Sequence, residues 1–89
     1  MTLHDLVQNF SHVDIIIKEN DNFEITIHKT HSHSIIVKTY YDNKIYYTIE
    51  KDGESITSGE IPCASDRKEQ LACEIAYALA KGKIIQIYI

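Results

Sequence analysis

Apolar and polar residues alternate with a period of two from residue 13 onward, which is the pattern of half-buried β-strands. Two such strands lie on either side of a polar turn at residues 19–22. If all their apolar residues share one face, Ile15 lies opposite Ile25, because this condition normally sets the register of a strand pair. The same register places His12 opposite His28 on the other face of the sheet.

A third strand at residues 34–41 and a fourth at residues 45–49 surround the polar residues 42–44. A three-residue hairpin loop fits this spacing and pairs Tyr41 with Ile45. Tyrosines that are adjacent in a strand point to opposite faces. We therefore expect Tyr41 and Tyr47 on the inner face, the face that the helices cover.

The dipeptide Asp-Gly at residues 52–53 predicts a tight turn into a fifth strand, since both of its residues tolerate positive φ. A two-residue turn sets Ile49 opposite Ile56. Gly59 then predicts a bulge that shifts the face of the strand and brings Ile61 inward.

The two ends of the chain predict a short helix and a final strand. In the helix, residues 2–10, Thr2 is the expected N-cap and Asp5 the matching carboxylate of a capping box. This helix is too short to be stable alone, so we expect it to dock on the rest of the protein. Residues 84–89 alternate as a strand whose place in the sheet the pattern leaves open.

A longer helix follows Pro62, with Ser65 or Asp66 as its expected N-cap and Gly82 just past its end at about Lys81. Its core stripe consists of apolar residues at helical spacing, namely Leu71, Ala72, Ile75, Ala76, Ala78 and Leu79.

The opposite side of this helix carries Cys73, Tyr77 and Ala80 and is less polar than a solvated face. Two explanations remain open. Either the N-terminal helix packs over Cys73 and Tyr77, or that side binds another chain.

The order of elements predicts an α+β fold. It consists of a five-stranded antiparallel meander with a short N-terminal helix, a C-terminal helix packed on one sheet face, and a final C-terminal strand. With 89 residues and no internal linker or repeat, residues 1–89 are expected to form a single α+β domain.

Composition narrows the classes of function. The net charge is −4 and the nine basic residues are scattered, which argues against a nucleic-acid partner, because phosphate neutralisation needs a basic stripe. The first residues lack the pattern of a signal peptide, which is a basic segment followed by an apolar one. No apolar run reaches the length of about 20 residues that a membrane-spanning helix needs. We therefore expect a cytoplasmic protein with no membrane partner and with both cysteines reduced. No motif indicates a cofactor.

Three histidines form one candidate site. The predicted register brings His12 next to His28, with His31 at the tip of the following turn, so three imidazoles could ligate Zn²⁺ or a similar metal. A small metal-binding or enzymatic domain is therefore the alternative function. Polar turns are often rich in histidine, however, and the spacing matches no known zinc motif. A pH-sensitive surface patch is a further interpretation.

Cys63 is a second candidate, because it precedes a helix N-terminus near Arg67 and Lys68. These surroundings tend to lower a thiol pKa and would suit a nucleophile. No catalytic signature surrounds it, and a small residue filling the corner between strand and helix explains it equally well.

Tyrosines supply the leading hypothesis. Tyr40 and Tyr46 are expected on the outer sheet face with Ile36, where they would provide contact area for another protein. Stabilisation between neighbouring strands is the alternative role. The sequence thus favours a non-enzymatic interaction or inhibitor-type module, which binds a protein partner or itself through this face or the C-terminal helix.

Overall fold

The structure is a computed structural model that describes residues 1–19, 22–40 and 42–82, except for the side chain of Ser65. The predicted strand at residues 84–89 and the inward position predicted for Tyr41 lie outside the described residues. The elements in chain order are α1 (Leu3–Asn9), β1 (Val13–Ile17), β2 (Phe23–Thr30), β3 (His33–Thr39), β4 (Lys44–Lys51), β5 (Glu54–Pro62), a 3₁₀ turn (Ser65–Arg67) and α2 (Lys68–Ala80).

The five strands form one antiparallel sheet in the order β1-β2-β3-β4-β5, in which each strand pairs with its neighbours in sequence. Both helices contribute to a core on one side of this sheet, which we call the inner face; the other side is the open face. The predicted α+β meander is confirmed. No helix in the described part of the chain has the length and apolar character needed to cross a membrane.

The register predicted between β1 and β2 is correct. Ile15 pairs with Ile25 and Ile17 with Phe23, and the backbone N–H of His28 donates to the carbonyl of His12 at 2.9 Å. Ile25 is fully buried, whereas the edge position of Ile17 leaves it 75% exposed.

The register predicted between β3 and β4 is wrong by two residues, because Ile45 pairs with Thr39 and not with Tyr41. A shift of two keeps every apolar residue on the same face, so the hydrophobic pattern does not distinguish the two registers. Contacts with other elements fix the position of the connection between β3 and β4 instead. The carbonyl of Asn43 accepts from the N–H of Cys63 at 2.8 Å, and the carbonyl of Tyr40 accepts from the Lys68 ammonium.

The turn at residues 52–53 is confirmed, since Asp52 has φ of 54° and Gly53 has φ of 81°. The bulge follows this turn directly and does not lie at Gly59. Ile49 therefore pairs with Thr57, and Ile56 is 57% exposed instead of facing Ile49.

Gly59 has a different role from the predicted one. The Tyr47 ring covers it on the inner face, and a Cβ atom there would lie 2.5 Å from the Tyr47 hydroxyl oxygen. The predicted consequence of the bulge still holds, because Ile61 faces inward and is buried.

The N-terminus of α1 has the predicted capping box. The Thr2 hydroxyl accepts from the N–H of Asp5 at 3.2 Å, and the Asp5 carboxylate accepts from the N–H of Thr2 at 3.0 Å. The N-cap position predicted for the second helix is wrong, because a 3₁₀ turn at residues 65–67 precedes α2 and the N-cap position of α2 is Arg67. At its other end Gly82 has φ of 74° and donates to the carbonyl of Leu79, as expected for a residue that ends a helix.

The less polar side of α2, which carries Cys73 and Tyr77, packs against α1, so the first of the two explanations left open by the sequence holds. The N–H of Leu3 lies 3.4 Å from the Glu69 carboxylate, and the rings of Phe10 and Tyr77 meet edge to face at 5.6 Å. The two helices therefore run in the same direction, and this spacing sets Leu6 beside Cys73.

Both Leu6 and Cys73 have no exposed surface. The core of the protein thus continues between the helices. Because α1 is too short to be stable alone, this packing against α2 also keeps α1 folded. Cys73 is not part of the protein surface, and Ala80 is buried with it.

A buried polar cluster joins the start of α2 to the sheet. Lys68 is 8% exposed, and its ammonium donates to the side-chain oxygen of Asn22 at 3.1 Å and to the carbonyl of Tyr40. The Thr39 hydroxyl accepts from the N–H of Phe23 at 2.9 Å and donates to the same Asn22 oxygen at 3.3 Å. These bonds hold the ends of β2, β3 and α2 together at one end of the sheet.

Candidate functional site

Neither helix covers the open face of the sheet, where polar side chains surround a few large apolar ones. The strand registers place residues in rows that run across all five strands. One row consists of Ile16, Glu24, Lys38, Tyr46 and Glu60, and the next consists of Asp14, Thr26, Ile36, Thr48 and Ser58.

Tyr40 and Tyr46 form an aromatic pair on this face. Their rings meet edge to face, with centroids 5.1 Å apart and planes at 76°. The Tyr46 hydroxyl donates a short hydrogen bond to the Asp42 carboxylate, and the Lys18 ammonium lies 5.8 Å from the centre of the Tyr40 ring. Because each ring has contacts with neighbouring groups, the pair has a defined orientation although Tyr40 is 43% exposed.

The Asp42 carboxylate also changes the acidity of Tyr46. Accepting the phenolic hydrogen bond, it raises the pKa of Tyr46 to about 12 from an ordinary value of 10.0. The pKa of Tyr46 in the folded state is above its value in the unfolded chain. The stabilisation of the fold by this hydrogen bond is therefore complete below pH 10 and is lost as the pH rises toward 12.

A spectrophotometric titration of the phenols near 295 nm tests this assignment. We expect the difference between the wild-type chain and Tyr46→Phe to show one phenol with a pKa of about 12. Asp42→Asn should move that pKa back toward 10, because the amide carries no negative charge. If the Tyr46 phenol titrates at an ordinary pKa in the wild-type chain, the hydrogen bond does not hold the ring in solution.

Charged side chains next to the tyrosine pair are arranged as ion pairs. Glu24 lies between two lysines, with its carboxylate 3.6 Å from the ammonium of Lys18 and 4.0 Å from that of Lys38. On the same face, next to strand β5, Lys44 pairs with Glu60 at 3.2 Å. The positive charges on the face are therefore largely compensated within it.

The structure brings together three of the five residues predicted for protein interaction. Tyr40, Tyr46 and the half-buried Ile36 all lie on the open face. Cys73 and Tyr77 lie on the other side of the sheet, in the packing between α1 and α2. The C-terminal helix and the open face are thus two separate surfaces, and the predicted residues of the helix serve the core.

The three predicted metal ligands line one surface cavity of about 410 Å³, together with Lys29 and Thr30. Both ring nitrogens of His28 already have partners, since Nε2 lies 2.9 Å from the Asp14 carboxylate and Nδ1 lies 3.2 Å from the Ser34 hydroxyl. Among the described residues, no three His, Cys, Asp or Glu side chains are arranged to hold a metal ion. His12, His28 and His31 are therefore neighbours without forming a ligand set.

Cys63 does not have the activated thiol that its position suggested. Burial raises its pKa, and this effect exceeds the lowering by the nearby charges of Lys68 and Arg67. The thiol lies 3.2 Å from the Ala64 carbonyl and lines a depression of about 290 Å³ whose described lining contains no histidine. A protonated thiol without an imidazole to deprotonate it is a poor nucleophile. Burial raises the pKa of Cys73 further, to about 11.

Sequence reasoning missed the polar side chains that orient the candidate residues. Asp42 was assigned only to a turn, and Asp14 was not recognised as an acidic neighbour of His28. The Asp14 contact could have been found, because Asp14 pairs with Thr26 and His28 is then its diagonal neighbour on the same face. The Asp42 contact depends on a connection whose predicted register was wrong.

Comparisons of the chain with protein-family models, with curated proteins and with solved structures gave no match. The residues and their geometry therefore provide the basis for a functional conclusion.

Proposed function

We propose that this protein is a non-enzymatic interaction module of the inhibitor type, which binds a partner protein through the open sheet face. The observation that carries the proposal is the oriented pair of Tyr40 and Tyr46 on a face that neither helix covers. Rigid tyrosines lose little conformational entropy on binding and offer both apolar area and a hydrogen-bonding tip.

The charges on this face favour a partner with a basic surface. Lys18, Lys38 and Lys44 lie close to carboxylates of the same face, whereas Glu50 is an additional acidic residue there. The net charge of −4 acts in the same direction at longer range. We therefore expect binding to weaken as the salt concentration rises.

The other surfaces considered from the sequence have less support. Cys73 and Tyr77 pack under α1, so the C-terminal helix offers a partner little of the apolar side that made it a candidate. Among the described residues, the histidine alternative lacks three free ligands, and no histidine lines the depression beside Cys63. The proposal therefore rests on the tyrosine pair.

The decisive experiment replaces both rings, as Tyr40→Ser with Tyr46→Ser, and measures affinity for the partner that the wild-type chain captures from native lysate. Once that partner is purified, we expect the dissociation constant to rise by roughly 1,000-fold, because two aromatic residues at the centre of an interface often each contribute about 2 kcal/mol. Calorimetric titration gives the affinity directly.

Ile56→Ser is the matched control. Ile56 is also exposed and apolar, but it lies on the edge strand β5, so its replacement should leave the affinity unchanged. Equal affinity of the double tyrosine variant and the wild-type chain would show that the partner binds elsewhere.

A further inference from the structure

Strand β1 has an open edge rich in apolar residues. It pairs with β2 on one side, and no other strand in the described part of the chain pairs with it. Ile16 is 55% exposed and Ile17 is 75% exposed, although β-branched residues of this kind are usually covered in a sheet. Exposed apolar edges are sites where a further strand can add.

The backbone of β1 shows which of its groups are free to pair. The N–H of Lys18 donates to the carbonyl of Asn22 at 2.7 Å, and the carbonyl of His12 accepts from the N–H of His28. Because hydrogen bonding alternates along an antiparallel strand, the even-numbered residues point their backbone groups toward β2. Ile15 and Ile17 therefore direct their N–H and C=O groups away from the sheet.

We infer that a second copy of this chain pairs with β1, antiparallel and about a two-fold axis at Ile16. In this register Ile15 forms a hydrogen-bonded pair with the partner's Ile17, and the reciprocal pair forms on the other side of the axis. Ile16 faces the partner's Ile16 on the open side of the sheet. The two sheets become one continuous sheet.

Charge complementarity selects this register. It sets the carboxylate of Asp14 directly opposite the ammonium of the partner's Lys18, twice by symmetry, in pairs whose side chains approach most closely. Asp14 then lies between His28 and the partner's Lys18, while Lys18 also keeps its neighbour Glu24. A register centred on Ile15 instead opposes Asp14 to the partner's Ile16 and loses both charge pairs.

The other edge of the sheet does not fit a second copy in this way. Self-pairing of β5 about its central residue, Ser58, would set Ile56 opposite the partner's Glu60 and Glu54 opposite the partner's Pro62, so no pair of opposite charges would form. Pro62 also lacks the N–H that a strand pair needs. The β1 edge is thus the self-complementary one, and the inference is independent of the function proposed for the tyrosine face.

Reversing single charges tests the register by sedimentation equilibrium of the full chain. Asp14→Lys and Lys18→Asp should each weaken the dimer at least about tenfold, because each variant sets two pairs of like charges opposite one another. An equimolar mixture of the two variants should dimerise again, because every charge then faces its opposite across the interface. Lys44→Asp, which makes the same charge change near the other edge, is the control and should dimerise normally.

Oxidative crosslinking tests the axis independently. Ile16→Cys should form a disulfide-linked dimer, because the residue faces its own copy in a close pair, whereas Ile56→Cys on the other edge should not. Cys63 and Cys73 are buried and should not interfere.

Three outcomes would overturn the inference: a dimer that tolerates both single reversals, a mixture that fails to restore it, or a wild-type chain that stays monomeric.

Discussion

Replacing Leu6 by alanine is expected to lower the free energy of unfolding by about 3 kcal/mol. Leu6 has no exposed surface and lies beside Cys73 between the two helices, so the truncation leaves a cavity at the centre of their contact. A helix of seven residues is not stable alone in water, so α1 depends on this packing to remain folded. Urea unfolding followed by circular dichroism measures the change.

Val7→Ala is the matched control, because Val7 is the next residue in the same helix and is 48% exposed. Its truncation should cost well under half as much. A second measurement reports on the docking of α1 directly. In a Cys63→Ser background, Leu6→Ala should make Cys73 accessible to a thiol reagent under native conditions. If Leu6→Ala and Val7→Ala destabilise equally and Cys73 stays protected, α1 does not pack as described.

The second large effect is expected at the buried polar cluster. Thr39→Val keeps the shape of the side chain but removes the acceptor for the N–H of Phe23, which is then buried without a partner. We expect a loss of about 2 kcal/mol, since an unsatisfied buried donor costs its full desolvation. A domain of this size should then melt roughly 10 °C lower, as calorimetry would show.

Thr39→Ser separates the hydroxyl from the methyl group. Serine keeps the oxygen that accepts from Phe23 and donates to Asn22, so its stability should lie much closer to that of the wild-type chain. Equal losses for the valine and serine variants would mean that the methyl group, and not the hydrogen bonds, stabilises this end of the sheet.

Much of the fold was predictable from local pattern. The capping box at Thr2 and Asp5, the turn at residues 52–53 and the pairing of Ile15 with Ile25 follow from rules that act over a few residues. The five-stranded meander then follows from the order of these elements, because consecutive strands joined by short turns usually pair.

The candidate site was predictable in part. Alternation along the strands assigned Tyr40 and Tyr46 to the same side of the sheet, and the structure places their rings in contact. The alternation did not reveal that Asp42 fixes the Tyr46 ring, because that hydrogen bond depends on how the chain turns between β3 and β4. Helical spacing likewise identified Cys73 and Tyr77 as an apolar side of α2 but left open what covers it.

The sequence by itself determined which residues form strands and helices and which face each strand presents, because both follow from periodicity. The tertiary structure decided the register of β3 with β4, since a shift of two residues keeps the same faces and satisfies the pattern equally. It placed the bulge of β5 directly after the turn, which takes Ile56 away from the inner position that the pattern predicted. It also decided that α1 covers Cys73 and that Lys68 joins Asn22 to the Tyr40 carbonyl. These contacts join residues far apart in the chain, and no local pattern encodes them.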